Sequence, residues 1–341
     1  MSANSKKFKV SVDIGYGDVK VFSPEIGMVK FPNAIAPEGV SMYKLAKTAL
    51  QAYEFEGDSY LIGEEAKNAK PLNTRQFTYL SEFSPLIIYK ICKLIGATPD
   101  DEIQIVAGLS IKDWDKKEEI IERITKNVFV NSEYYKNIKV KLIPQGVGIY
   151  ECYKYHNKIE EDFFAVADIG YNTVDLFIFK DGEPINNAFY ADTNGIHMIV
   201  NDVLNHVTQV YGNGNAIINE HDAVEVLLKK CIRLHNKDIP LENEINKFVK
   251  RYIRGRVNDI HNFKPELLAK VKGVIIGGGG MAILKNSGHK LFDHEVEPGV
   301  QLAFANVIGY FVSAFKNDYT KYLNEQKKLE KPEDTSNDFT E

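Results

Sequence analysis

An α/β protein made of two related halves facing each other across a cleft is what the sequence predicts, on three observations. The segment Asp13-Ile-Gly-Tyr-Gly-Asp-Val-Lys-Val-Phe22 recurs in altered form as Asp168-Ile-Gly-Tyr-Asn-Thr-Val-Asp-Leu-Phe177. Each copy ends an apolar, β-rich run, Phe8-Lys-Val-Ser-Val-Asp-Ile and Phe163-Phe-Ala-Val-Ala-Asp-Ile, so each reads as strand, tight turn, strand. A further glycine element, Val274-Ile-Ile-Gly-Gly-Gly-Gly-Met-Ala-Ile-Leu284, runs from an apolar strand into a helix-like stretch.

The remaining elements follow in chain order. Residues 8–31 read as strands, and 32–80, with short strands and Gly-Asp turns, as an insertion on the first half. A capping Ser, apolar periodicity and a stop at Gly96 predict a helix over 81–95. A buried strand follows at 103–107, an amphipathic helix at 116–126, and a strand at 140–143 that leads to Gln145. After the second hairpin, helices are predicted over 195–210, 222–234 and, heavily charged, 242–258. The repeat divides the chain into 1–164 and 165–324, with insertions at about 32–80 and 200–268. The polar, acidic tail 325–341 is expected to be disordered.

The repeated hairpin has a chemical use. Gly15 and Gly17 let the backbone turn sharply and converge its N–H groups on an anion, phosphate above all. Asp13 and Asp168 would repel phosphate directly, but either can hold the hydrated Mg²⁺ that accompanies a nucleoside triphosphate. Lys20, on the outgoing strand, can offset phosphate charge; the second copy has Asp175 in that place. The four glycines at 277–280 let a flat ring or a phosphate lie against the backbone. A single Asp-x-Gly at a strand end is usually only a turn, so the repetition carries the argument. Likewise, Gln145 on its own reads equally as a residue satisfying the backbone of a Pro-Gln-Gly turn.

Composition bounds the partners. A chain of 341 residues exceeds one ordinary core and accommodates two domains. Its three cysteines show no disulfide or zinc spacing, and no apolar run approaches a membrane span. The N-terminus leads into a strand rather than a signal core, so a cytoplasmic protein without membrane contact is expected. Lys247, Lys250, Arg251, Arg254 and Arg256 cluster on the charged helix, but a net charge of −5 offers DNA no general attraction. Direct nucleic-acid binding is therefore not expected.

The order of first hairpin, Gln-containing connection, second hairpin and glycine loop resembles the superfamily of actin, heat-shock chaperone and sugar-kinase ATPases. Within it, the sequence is similar to the ParM (StbA-like) plasmid-segregation actins and related archaeal actin-like proteins. The resemblance spans roughly residues 8–315 and rests on Gly15-Tyr-Gly-Asp-Val-Lys20, Tyr60-Leu-Ile-Gly-Glu-Glu-Ala66, Ala107-Gly-Leu-Ser-Ile111, Pro144-Gln-Gly-Val-Gly148 and Phe304-Ala-Asn-Val-Ile-Gly-Tyr310. It implies two ribonuclease-H-like domains around a nucleotide cleft. It further implies a slow, assembly-linked, Mg²⁺-dependent ATPase that binds ATP or GTP and polymerises head to tail. The implied cargo is plasmid or other replicon DNA, reached through a separate DNA-binding adaptor.

By the same resemblance, Asp13 and Asp168 would associate with Mg²⁺ through water and, with Gln145, form the catalytic group. Gln145 would orient the attacking water. Gly15, Tyr16, Gly17, Asp18 and Lys20, with Gly170, Asn172 and Thr173, would hold the phosphates, and Gly277, Gly278 and Gly279 would face the adenosine. Tyr16 and Tyr171 stand where many relatives carry small residues.

Two other classes compete. A sugar-type kinase on the same fold normally needs a carboxylate base where this chain has Gln145. A dinucleotide-binding fold matches Gly277-x-Gly279-x-x-Ala282 with Asp293 or Glu295 beyond it, but leaves the repeated hairpins unexplained. A chaperone reading lacks chain for a substrate-binding domain.

Overall fold

A computed structural model describes residues 5–39, 51–67, 69–158, 163–286, 288 and 290–329. Strands β1 (Lys7–Ile14), β2 (Asp18–Ser23) and β3 (Gly27–Pro32) form an antiparallel meander in which Asp13 stands opposite Lys20. Val10, Val12, Val19 and Val21 are completely buried, which fixes this register against a one-residue slip. Strands β4 (Ile35–Pro37), β5 (Tyr53–Phe55) and β6 (Asp58–Ile62) make a separate small sheet within the expected insertion, followed by the short helix α1 (Glu64–Lys67).

Helix α2 runs Phe77–Leu94 and so begins four residues before the expected start at 81. Ser81 is not its cap. The ring of Pro85 removes the N–H that would bond the Ser81 carbonyl, and Arg123 Nε donates to that oxygen instead at 3.3 Å. Gly96, at φ +74, ends the helix as expected. Then come β7 (Glu102–Leu109), α3 (Lys117–Asn127), the hairpin β8 (Phe129–Val130) and β9 (Glu133–Tyr134), β10 (Ile138–Pro144) and α4 (Val147–Asn157). Strands β7 and β10 join the first sheet in parallel, giving the order β10-β7-β1-β2-β3.

The second half repeats this plan. Strands β11 (Phe163–Ile169), β12 (Val174–Lys180) and β13 (Glu183–Asp192) form the meander, with Asp168 opposite Asp175. The chain continues through α5 (His197–Val210), α6 (Glu220–Lys229), β14 (Cys231–Leu234), β15 (Lys237–Pro240), α7 (Glu242–Asn262) and α8 (Pro265–Leu268). It closes with β16 (Val274–Gly277), α9 (Gly279–Asn286), β17 (Glu295–Val296) and α10 (Ala305–Leu329). Parallel β16 and β17 complete the order β13-β12-β11-β16-β17, so each half has a hairpin meander on one side of a central strand and parallel strands on the other.

Three expectations change here. The helix expected over 222–234 starts at Glu220, capped reciprocally by Asn219 and Asp222, and stops at Lys229. Residues 231–240 instead form a hairpin, because His235 and Asn236 both adopt positive φ in a two-residue turn. The C-terminal helix, grouped with the second half in the sequence, packs on α4 and on β1, β2 and β7 of the first sheet. It crosses α4 where Gly309 meets Gly148, so closely that a Cβ on Gly309 would collide with the Gly148 carbonyl. This helix is ordered to Leu329, into the segment expected to be disordered; 330–341 lie outside the described residues. No helix among the described residues is long and apolar enough to cross a membrane.

Candidate nucleotide site

The loop after β1 and the loop after β11 face each other. A Cβ added to Gly17 would lie 3.4 Å from the Cβ of Tyr171. Between and beside the loops is a cavity of about 610 Å³, lined by Asp13, Gly15, Tyr16, Gly17, Asp18, Lys20 and Gln145 from the first half. Asp168, Gly170, Tyr171, Thr173, Asn219, Glu220 and Gly278–Gly280 line it from the second. Two expected residues are placed differently. Gly277 is the last residue of β16 and packs on Ile149, whose Cδ1 would be 2.5 Å from an added Cβ; it does not line the cavity, and Gly280 does. Asn172 is buried beside the Tyr16 hydroxyl rather than lining the cavity.

The first loop is held from behind by Asn33, whose Nδ2 donates to the Gly15 carbonyl at 2.8 Å and whose N–H donates to the Gly17 carbonyl at 2.9 Å. Tyr79 donates to Asn33 Oδ1 at 2.9 Å, and Thr74 Oγ1 donates to the Tyr16 carbonyl at 2.9 Å. In the second loop, Gly170 N–H closes the turn onto the Thr173 carbonyl at 2.9 Å, and His197 N–H at the start of α5 holds the Tyr171 carbonyl at 2.9 Å.

At the floor, charges are crowded and largely buried, with Asp13, Lys20 and Asp168 all under a tenth exposed. Lys20 Nζ lies 3.3 Å from Asp13 Oδ2, and Gln145 Nε2 donates to Asp13 Oδ1 at 3.0 Å. Burial works against the Lys20 ammonium, but Asp13, Asp18 and Asp168 together outweigh it and hold its pKa above the ordinary lysine value. Burial, then the Asp13 carboxylate, pushes Asp168 up to about 6, with Asn306 and Lys20 opposing. Asn306, on α10, donates to Asp168 Oδ2 at 2.5 Å and accepts from Gly146 N–H at 3.0 Å, so one side chain ties the second hairpin to the residue after Gln145.

Asp175 is the unusual group. It is 1 % exposed, and neither carboxylate oxygen has a hydrogen-bond partner of normal geometry. Burial and then Asp168 raise its pKa well above the ordinary value. Tyr16 is likewise pushed up to about 12, by burial and then by Asp113 and Asp175.

Sequence reasoning assigned no role to Asn33, Thr74, Arg75, Glu220 or Asn306. The last lies inside the Phe304-to-Tyr310 string, which was the one available signal for it. The basic cluster on α7 is partly consumed by ion pairs, Arg251 with Asp202 at 2.6 Å and Arg256 with Asp192 at 2.9 Å.

Two sheets of matching order, each delivering an Asp-Gly hairpin to a shared cleft above a glycine turn, define the two-domain actin-like fold. Each half matches an actin-like family model: residues 11–148 match the family described as actin like proteins N terminal domain, and residues 166–288 match archaeal actin homologue MreB-like, C-terminal. No curated protein matches the sequence. Among solved structures, the archaeal actin homologue Ta0583 superposes with a TM-score of 0.74 at 20% identity, covering 91% of this chain and 99% of that one. A ParM from Clostridium botulinum, in a 15-stranded filament, gives 0.72 at 21% identity, covering 89% and 98%. The complex of Ta0583 with ADP gives 0.70 at 17% identity, covering 91% and 99%. At these identities the likeness establishes the fold.

Proposed function

We propose that this protein binds ATP or GTP with Mg²⁺ in the cleft, hydrolyses it slowly, and polymerises head to tail in the cytoplasm to segregate plasmid or other replicon DNA through a separate adaptor. The observation that carries the nucleotide reading is the convergence of both hairpins, Gln145 and Gly278–Gly280 on one cavity large enough for a ligand of that class. The ADP bound by Ta0583 and the filament formed by the Clostridium botulinum ParM support the nucleotide and the assembly respectively.

The floor suits Mg²⁺. Asp13 and Asp168 stand near the ends of the two central strands and both line the cavity, and burial raises the Asp168 pKa, a cost that a divalent cation beside its carboxylate would relieve. Mg²⁺ keeps most of its waters and needs few protein ligands, so Asp13 and Asp168 would suffice to hold it, through those waters. Bound there, the ion would supply charge neutralisation for the phosphates.

The chain's own groups do the rest. Backbone N–H groups of the two loops and the buried Lys20 would bind the phosphates, held in place before the ligand arrives. Gln145 gives its amide N–H to Asp13, which leaves its carbonyl oxygen to accept from a water and aim it at the terminal phosphorus. Asp168, at about 6, is ionised at neutral pH yet basic enough to receive a proton. Since terminal phosphate touching both loops would hold the halves together, its loss would loosen the subunit and the filament.

Phosphate release, light scattering and electron microscopy with Mg·ATP and Mg·GTP test this reading. Polymers that appear only with nucleotide, and phosphate release abolished by Asp168→Ala, are expected. An unaltered protein that binds neither nucleotide would refute it.

A further inference from the structure

Away from the phosphate floor, one contact crosses the cleft. Arg75, in the turn before α2 on the first half, is ion-paired with Glu220, the first residue of α6 on the second half. Both side chains line the cavity, yet they are 32% and 42% exposed, so water reaches them from outside while the cavity lies behind: the pair sits at the mouth. The Tyr171 hydroxyl lies against the pair; burial, then the Glu220 carboxylate, raises its pKa, and Arg75 opposes. The next residue, His221, lines the same cavity as Lys67 and Asp18 of the first half and feels the charge of both.

Each end of the bridge is anchored to one of the phosphate loops. Thr74, beside Arg75, bonds the Tyr16 carbonyl of the first loop, and Asn73 Oδ1 accepts from Arg75 N–H at 2.9 Å. Across the cleft, the reciprocal cap between Asn219 and Asp222 fixes the turn that carries Glu220, while Tyr171 belongs to the second loop itself. The bridge ties the two halves together beside the cavity, so its parting would widen the way out for a nucleotide. A partly exposed ion pair is weak enough to part and re-form.

We propose that Arg75, Glu220 and Tyr171 form a latch across the mouth of the cleft that sets how fast bound nucleotide leaves. The proposal rests on the nucleotide reading above and adds to it the control of exchange.

Displacement of fluorescently labelled ADP, followed by stopped flow, tests the latch. Arg75→Gln and Tyr171→Phe should release the nucleotide faster, by roughly threefold to tenfold, the range open to one partly exposed pair and its packing. The doubly exchanged variant, Arg75→Glu with Glu220→Arg, should return toward the unaltered rate. In nucleotide-free protein, Arg75→Gln should speed amide hydrogen exchange around residues 72–76 and 219–222 with the circular dichroism unchanged. Normal uptake of labelled ADP with unchanged release in Arg75→Gln, or an exchanged pair as fast as the single variant, overturns the latch alone; so does unaltered hydrogen exchange. Failure of the unaltered protein to take up labelled ADP overturns the nucleotide reading, and the latch falls with it.

Discussion

Gln145 Nε2 donates to Asp13 Oδ1 at 3.0 Å while Lys20 Nζ approaches the other oxygen of the same carboxylate at 3.3 Å. The carboxylate therefore orients the amide as well as countering the lysine. With its N–H engaged, Gln145 has its carbonyl oxygen free for water. Gln145→Ala should lower single-turnover phosphate release by about 10- to 100-fold, in the range for loss of a positioning contact. ADP affinity should change little if, as proposed, the amide holds water rather than the base or ribose. Equal losses in affinity and turnover would assign Gln145 to binding instead.

Asn306 makes two buried contacts at once, to Asp168 Oδ2 and from Gly146 N–H. Replacing it with Leu, of similar size, strands a buried carboxylate and a backbone donor. Each stranded group costs about 1–3 kcal/mol. Asn306→Leu should thus be destabilised by roughly 2–5 kcal/mol in urea titration, and Asn306→Asp by still more at neutral pH, since it sets a second carboxylate against Asp168. A Leu variant as stable as the parent would show that the bridge is not a stabilising contact.

The hairpins were legible because their signals are local: an Asp at a strand end and glycines in the turn, written twice. What holds them was not. Asn33 bonds a carbonyl 18 residues away with nothing in its neighbouring sequence to mark it, and Asn306 a carboxylate 138 residues away with only the Phe304-to-Tyr310 string as a signal. Ser81 imitated a cap because the proline four residues on interrupts the helix pattern, while the repair comes from Arg123 on another helix. The shift from Gly277–Gly279 to Gly278–Gly280 has the same origin: four identical residues carry no mark of where the strand ends. By contrast, His235-Asn236, just past the 222–234 run read as a helix, forms a two-residue turn whose second strand that reading left out.

Asp168 couples the site to pH. Its pKa is raised from 3.8 to about 6 by burial first and Asp13 second, so between these values the nucleotide-free folded state binds more protons than the unfolded chain. Its contribution therefore favours folding below pH 4, falls as pH rises through about 6, and is level above that. Asp168→Asn abolishes this contribution. The stability difference between Asn variant and parent should widen in favour of the variant from pH 4 to 6, by on the order of 2 kcal/mol, and then stay constant. Urea titrations across that range measure it, and a parallel pair of curves would contradict the buried, raised carboxyl.

The glycine turn gives the sharpest structural contrast. Gly278 has φ +95, and a Cβ there would collide with Asp168 Oδ1 and the Ile169 carbonyl. One residue on, a Cβ at Gly279 would find nothing closer than the Lys20 side chain at 3.8 Å. Gly278→Ala must then strain the backbone and push the Asp168 hairpin toward the cleft, at a cost of about 2 kcal/mol or more. Gly279→Ala should leave stability within about 1 kcal/mol, the ordinary scale for a Gly-to-Ala change without a clash. Its methyl would nonetheless stand on the cavity wall, so nucleotide affinity should fall while the melting curve stays. Thermal denaturation and fluorescent-ADP titration separate the two effects. If Gly279→Ala weakened folding as much as Gly278→Ala, the turn would not be wrapped around Asp168 in the way its backbone angles and contacts require.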